Sequence, residues 1–428
     1  MDRMKKIMIS AILISSAMSV AFAQSPVDHA LAEIEKNNSE LAALRAGTEA
    51  DKYGYKAGNA LDDPEFGFDY LWSNPDVGGR KDISVTQTLD MSVLFGSKAK
   101  LAASLGELAD MGYEVERQRI LLEAKTVCIE LIYCNAMHEE LSRRLAHAAE
   151  INDAYSRMLE AGDVSLKDAN EARLALSSIR GEYERNLITR SGLQQELRRL
   201  NGGQDIVLGD TGFGLAPMLP DDFGTWYEEC SASSPVLAYV AQNVKVKEQE
   251  IRTGRAASAP KLTAGYMSEL VKGSNFRGLT LGVSIPVWSA KNNIRQAKAS
   301  YEASRLEQED TAIRYYSGMK QLFDEAAGLR SVLAGYEESG AVAAESAALA
   351  ESGFKAGEIS LVEHLVGLGL YYNIVDSTLE AERDYHLAIA RLESYKLEIR
   401  DRLAEQVFQF LLRHLPVQAD KGTLTSGQ

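Results

Sequence analysis

Proline is scarce in this 428-residue chain: there are nine, with none between Pro75 and Pro217 and none between Pro286 and Pro416. Proline removes a helical hydrogen bond and clashes with the preceding turn, so two such intervals lack the usual obstacle to very long helices. Cysteine is scarcer still. Cys128, Cys134 and Cys230 are an odd number, and the first two stand six apart in a helical pattern where side chains do not meet, so no disulfide framework is expected. Past the N-terminal region no uninterrupted apolar stretch reaches the roughly 20 residues of a membrane-spanning helix. Positive charge is also short: 46 Lys and Arg against 61 Asp and Glu give a net charge of −15. Nucleic-acid binding depends on neutralising phosphate with Lys and Arg, so no nucleic-acid partner is expected. The acidity fits either a solvated surface or a negatively charged lumen.

Chemistry is missing as well. The histidines His29, His138, His147, His364, His386 and His414 are scattered, without H-E-x-x-H or tight Cys/His spacing, so neither a metal site nor a cofactor is expected. There is no Walker loop and no Rossmann fingerprint. Ser317-Gly318-Met319-Lys320 fits S-x-x-K, but it lies inside a long helical pattern without the companion motifs and reads as chance. No enzyme is indicated, and energy for any transport must come from a partner.

What is present begins with a secretory leader over 1–23. Lys5 and Lys6 supply its charge, Ile7 to Val20 its apolar core, and Ala21-Phe22-Ala23 its cleavage site. The mature chain starts near Gln24 with a net charge of −17, since the leader removes three cations and one anion. No Cys near the cleavage site offers a lipid anchor.

The remainder is written twice. Ala356-Gly357-Glu358-Ile359-Ser360-Leu361 repeats Ala161-Gly162-Asp163-Val164-Ser165-Leu166 at a spacing of 195, and Pro260 repeats Pro64 at 196. Ser234-Pro235-Val236-Leu237 pairs with Ser39-Glu40-Leu41-Ala42 at 195. A register held across three kinds of segment points to duplication of a whole structural unit. The expected division is 24–200 for the first repeat, 201–233 between repeats, 234–403 for the second repeat, and 404–428 for a C-terminal segment. Each repeat holds a helical hairpin (97–200, 290–403). Its first arm runs from Ser97 to about Glu160 or Ala290 to about Lys355, roughly 95 Å at 1.5 Å per residue. The repeated glycine terminates that arm, and Ser165 or Ser360 caps the return arm, which runs to about Leu200 or about Leu403.

At the other end of each hairpin the pattern changes to period two, over β-hairpins 64–90 and 260–288. Phe66, Phe68, Tyr70 and Trp72 alternate with Glu65, Gly67 and Asp69. Val85 lies in Ile83-Ser84-Val85-Thr86, and Leu281 and Val283 lie in Leu279-Thr280-Leu281-Gly282-Val283. About 9 to 11 tilted residues suffice for a strand to cross a bilayer. The apolar faces need lipid or other subunits, because no core forms at the tip of a lone helical pair. Four strands cannot close a barrel, and open edges are not tolerated in lipid. The chain must therefore oligomerise, and three copies would supply twelve strands.

With the Asn38-Ser39-Glu40-Leu41 start, the Pro64 and Pro260 strand starts, the Gln87-Thr88-Leu89 and Ser284-Ile285-Pro286 strand ends and the two Ala-Gly turns, the chain resembles the TolC-type outer-membrane efflux protein family, in its shorter, cation-efflux-like branch. The resemblance implies an α+β membrane protein and a homotrimer. Four transmembrane strands per chain would close a 12-stranded β-barrel in outer-membrane lipid, and the hairpins would form a periplasmic α-barrel. A belt would come from Asn201 to Ser233 and from the chain beyond about Asp401. It implies a passive exit duct for an inner-membrane pump, of RND type, reached through a periplasmic adaptor. The docking tips would be Ala161, Gly162, Asp163, Ala356, Gly357 and Glu358. At the entrance, Glu363 matches a family acidic ring, while Val366 occupies the next acidic position. Asp168 matches an acid that in the family is tied to a tyrosine and an arginine, where this chain has Phe354 and Ile359. That latch cannot be built here, so closure must rest on packing or other residues. A periplasmic coiled-coil scaffold or adaptor is the alternative. It would bury the aromatic strand Phe66 to Trp72, whereas a duct would turn it to lipid.

Overall fold

A computed structural model of the chain describes residues 25–72, 78–214, 218–286 and 290–395. The expected leader (1–23), the C-terminal segment (404–428) and the end of the second repeat lie outside the described residues, as do small parts of the first β-hairpin connection and the inter-repeat segment.

The first half runs α1 (Pro26–Asn37), α2 (Ser39–Ala57), β1 (Glu65–Leu71), β2 (Arg80–Leu89), a short α3 (Met91–Leu94), α4 (Ser97–Ala161) and α5 (Leu166–Leu200). The second runs α6 (Phe223–Ser233), α7 (Pro235–Ala257), β3 (Lys261–Val271), β4 (Ser274–Ser284), α8 (Ala290–Lys355) and α9 (Leu361–Glu393). α4 has 65 residues and α8 has 66, rods of roughly 98 Å. α4 ends in a left-handed glycine, Gly162 at φ 80°, and Gly357 repeats this at φ 75°. The Asp163 amide donates to the Met158 carbonyl and the Glu358 amide to that of Gly353, both at 2.8 Å, the closure expected when a Gly takes the left-handed position after a helix.

Two expectations shift. The break between the short helices is capped by Asn38, whose side chain accepts from the Leu41 amide, and by Ser234, which accepts from Leu237. The structural equivalent of Ser234 is therefore Asn38, not Ser39, and the spacing there is 196, as at the prolines. Asn38 replaces a serine cap because its amide also donates to the Leu200 carbonyl at 2.7 Å, joining α2 to the end of α5. The second return arm, expected to about Leu403, ends at Glu393. Ser394 caps it, and the Tyr395 carbonyl accepts from the Tyr315 hydroxyl at 3.0 Å.

The two β-hairpins merge. β2 pairs with β3, giving one antiparallel sheet in the order β1-β2-β3-β4. The apolar core lies at neither end of the rods but along their middle. Ile34 of α1, Cys128 and Leu131 of α4, Leu200 of α5 and Leu208 form one cluster. Cys230 of α6, Met319 of α8 and Tyr385 of α9 belong to its counterpart in the second half. Ser317 and Lys320 sit within α8, and Lys320 is ion-paired with Asp324 and lies over the Phe223 ring. The three cysteines are buried and none is in a disulfide. Burial pushes the Cys128 pKa up to about 12 and that of Cys134 to about 11.

Candidate functional site

The sheet is two-faced. Phe66, Val85, Tyr266 and Leu279 are successive partners across the four strands, and directly opposed residues share a face. Leu89, Leu262 and Val283 form another row on that face, and Gln87, Ala264 and Leu281 a third. Phe66 is 78% exposed and Leu281 83%, and Phe68, Tyr70, Trp72 and Val283 are also exposed, while Val85, in an inner strand, is half-buried. The opposite face carries Asp82, Ser84, Thr86, Thr263, Glu269 and Thr280. Its polar groups meet each other: Arg80 reaches Asp82 at 2.8 Å and Glu269 at 3.1 Å, and the Thr88 and Thr263 hydroxyls are 3.1 Å apart. β1 and β4 each have a neighbour on one side only.

At the far end of the rods the two turns lie side by side. Ala161, Gly162, Asp163, Ala356, Gly357 and Glu358 are all exposed. Glu363 and Asp168 each stand three residues into a helix and complete its cap. The Ser360 amide and hydroxyl both donate to Glu363 Oε2 at 2.9 Å. These two bonds, the amide first, hold the Glu363 carboxyl below its ordinary pKa. Ser165 donates to Asp168 Oδ2 at 2.7 Å and accepts from its amide. Val366 is exposed on α9 and Ile359 packs beside Gly353.

Phe354 is not idle in the place of the missing tyrosine. It stacks flat on His364, with ring centroids 4.5 Å apart, and parallel to Tyr155 at 6.4 Å. His147 of α4 stands edge-on to His364 at 6.0 Å. These rings border a cavity of about 620 Å³ between the two hairpins, lined also by Asp168, Glu351 and Ile359. The sequence marks Phe354 as an entrance residue, but not His364, His147 or Tyr155. Phe354 and His364 flank the turn almost symmetrically, so their meeting across it is readable from spacing; the approach of α4 is not.

Higher on the same seam Arg144, 3% exposed, joins α4 to α9. It bonds Asp376 at 2.7 and 3.1 Å and Glu140 at 2.9 Å, and lies over Tyr372 at 4.3 Å. Among the described residues no helix is long and apolar enough to cross a membrane, and no group of three or more potential ligands could hold a metal ion.

A four-stranded sheet with one largely apolar and one largely polar face thus stands at one end of paired long helices, and their turns at the other. Residues 226–410 match the family described as outer membrane efflux protein. A solved structure of CusC superposes with a TM-score of 0.75 at 13% identity, covering 88% of this chain and 93% of that one. The CmeC outer membrane channel of Campylobacter jejuni gives 0.74 at 15%, covering 89% of each chain. The open state of the Neisseria gonorrhoeae MtrE outer membrane channel gives 0.68 at 14%, covering 87% and 88%. No curated protein sequence matches the chain. The TolC-type resemblance therefore holds: the chain carries the outer membrane efflux signature in its second half and the fold of such channels along nearly its whole length. That family consists of efflux proteins, not enzymes.

Proposed function

We propose that three copies of this chain close a 12-stranded barrel in the outer membrane and form the exit duct of a tripartite efflux system. The observation that carries this reading is the sheet: its apolar face is exposed and its two edge strands are unpaired, at the end of rods roughly 98 Å long. In lipid every backbone polar group must be satisfied, so β4 of one copy pairs with β1 of the next. The apolar face then meets acyl chains, and the Asp, Thr and Ser face lines the lumen. A scaffold would bury Phe66 and Phe68 in its own core, and their exposure favours the duct.

The turn residues Ala161 to Asp163 and Ala356 to Glu358 dock a periplasmic adaptor, and an inner-membrane pump of RND type supplies the energy. Glu363, with Asp168 behind it, lines the entrance, where Val366 leaves no second acidic ring. Small molecules or metal cations pass passively, and the pump chooses among them.

The test is the protein-only mass of the outer-membrane fraction, extracted in mild detergent and sized by light scattering. A mass near three mature chains is expected. A monomer confined to the soluble periplasmic fraction would refute the barrel.

A further inference from the structure

We propose that His364 makes the packing of the two helical tips proton-sensitive: when its ring takes a proton, the start of α9 comes away from α4 and α8.

His364 lies in the first turn of α9 and is fully buried. Its ring is sandwiched rather than bonded, with Phe354 flat against it and His147 edge-on. Neither ring nitrogen has a hydrogen-bond partner. A neutral imidazole bears that at a modest cost, but a buried imidazolium needs an acceptor or water for each N–H.

The surrounding charges do not supply one. From α4 come His147 and Glu150, from α8 Glu351 and Lys355, and from α5 Asp168. Glu351 is tied to Lys355 at 2.6 Å, and Asp168 to Ser165. On α9 itself, Glu363 is held by Ser360. The N-terminal turn of a helix also disfavours positive charge. Burial, then His147 and last Lys355, lower the pKa of His364 from its ordinary 6.5; Glu351 and the Ala350 carbonyl, a nearby acceptor able to serve only one N–H, push the other way without reversing the shift.

The sign follows. The packed ring binds its proton less readily than the released ring does. Packing is therefore complete above about pH 6.5 and weakens as the pH falls below it, until the packed ring would itself protonate. The neighbouring cavity gives the charged ring somewhere to go and water to meet. Arg144 on Asp376, three helical turns further along α9, confines the loosening to the tip. This is a property of the chain's own hairpins and stands whether or not the molecule conducts. In a duct it would widen the entrance in acid.

Hydrogen–deuterium exchange on the full-length protein, in the assembly in which it purifies, tests the proposal. Wild type is compared with His364→Phe at each pH, so that the intrinsic pH dependence of exchange cancels. Phenylalanine keeps the stack but binds no proton. Peptides covering 147–164 and 351–368 should exchange alike in both proteins at about pH 7.5. At about pH 5.5 they should exchange faster in wild type, by up to about tenfold per unit of pKa difference. Equal exchange at both pH values would overturn the proposal. If the variant packs differently already at neutral pH, Glu351→Gln takes its place. Removing the anion that favours the packed imidazolium lowers the packed ring's pKa and leaves the released ring's unchanged, so the same peptides should loosen from the same onset but further at about pH 5 than in wild type, and equal or lesser loosening would overturn the proposal as well.

Discussion

A second histidine shows how much of the mid-molecule core depends on burial alone. His386 is 9% exposed and stacks on Phe213 at 4.4 Å. Burial, with a smaller contribution from Lys125, pushes its pKa down from 6.5 to about 4. A histidine depressed in the folded state contributes stability that is fully present above its unfolded value and is lost as the pH falls towards its folded value. Between about pH 6.5 and 4 the fold should therefore lose up to about 3 kcal/mol. Denaturant unfolding across that range should show a shallower acid slope in His386→Phe than in wild type, and parallel slopes would contradict the assignment. Residue-scale features were legible where one residue type has one physical use. The left-handed Gly162 and Gly357 and the capping Ser165 and Ser360 are such positions. Glu363 was half legible. Ser360 and Glu363 spell the S-x-x-E capping box, so the carboxyl read as an entrance charge also starts its own helix. The stacks of His364 and His386 were not legible, because their partners are brought together only by packing.

At the scale of elements, the long rods were readable because helix formers run unbroken between distant prolines, and the strands because Phe, Tyr and Val alternate with Ser, Thr and Asp. What could not be read was pairing between the repeats: β2 with β3, and α4 with α9. Nothing local in either sequence names its partner. The α4 to α9 seam depends on Arg144, whose buried guanidinium joins buried Glu140 to partly exposed Asp376. Arg144→Met leaves Asp376 without its partner, while Glu140 keeps Arg143 at 2.9 Å, and should cost about 3 kcal/mol, the lower end for breaking a buried ion pair, since Asp376 keeps some access to water. The double variant with Asp376→Leu should recover part of that loss in denaturant unfolding. Additive losses would mean the pair is not coupled. The strand face has a comparable single point of failure. Phe68→Asp puts a charge on the exposed, largely apolar face, at up to about 2 kcal/mol per copy if that face meets hydrocarbon. Outer-membrane insertion should fail, and unchanged insertion would count against a lipid-facing role.

At the scale of the whole molecule, the proposed trimer would supply what the single chain lacks, because among the described residues the apolar face of the sheet and its two edge strands have no partner. The same symmetry would gather three copies of Glu363 at one neck, where low-dielectric walls focus their field. Val366 adds no charge one helical turn on, so such a neck would carry one acidic ring at this level and its selectivity should respond to one substitution. Glu363→Gln suits the purpose because glutamine can still accept from the Ser360 amide and hydroxyl, as capping boxes allow. The charge goes while the helix start stays. In bilayer recordings under a salt gradient, cation preference should fall by an amount on the order of 1 kcal/mol, roughly fivefold in permeability ratio. The difference should shrink as salt screens the ring. Single-channel conductance at symmetric high salt should change little. A reversal potential that does not move would mean that the three carboxylates serve only as helix caps, and that charge selection, if the duct has any, lies on the Asp82 and Glu269 face of the barrel.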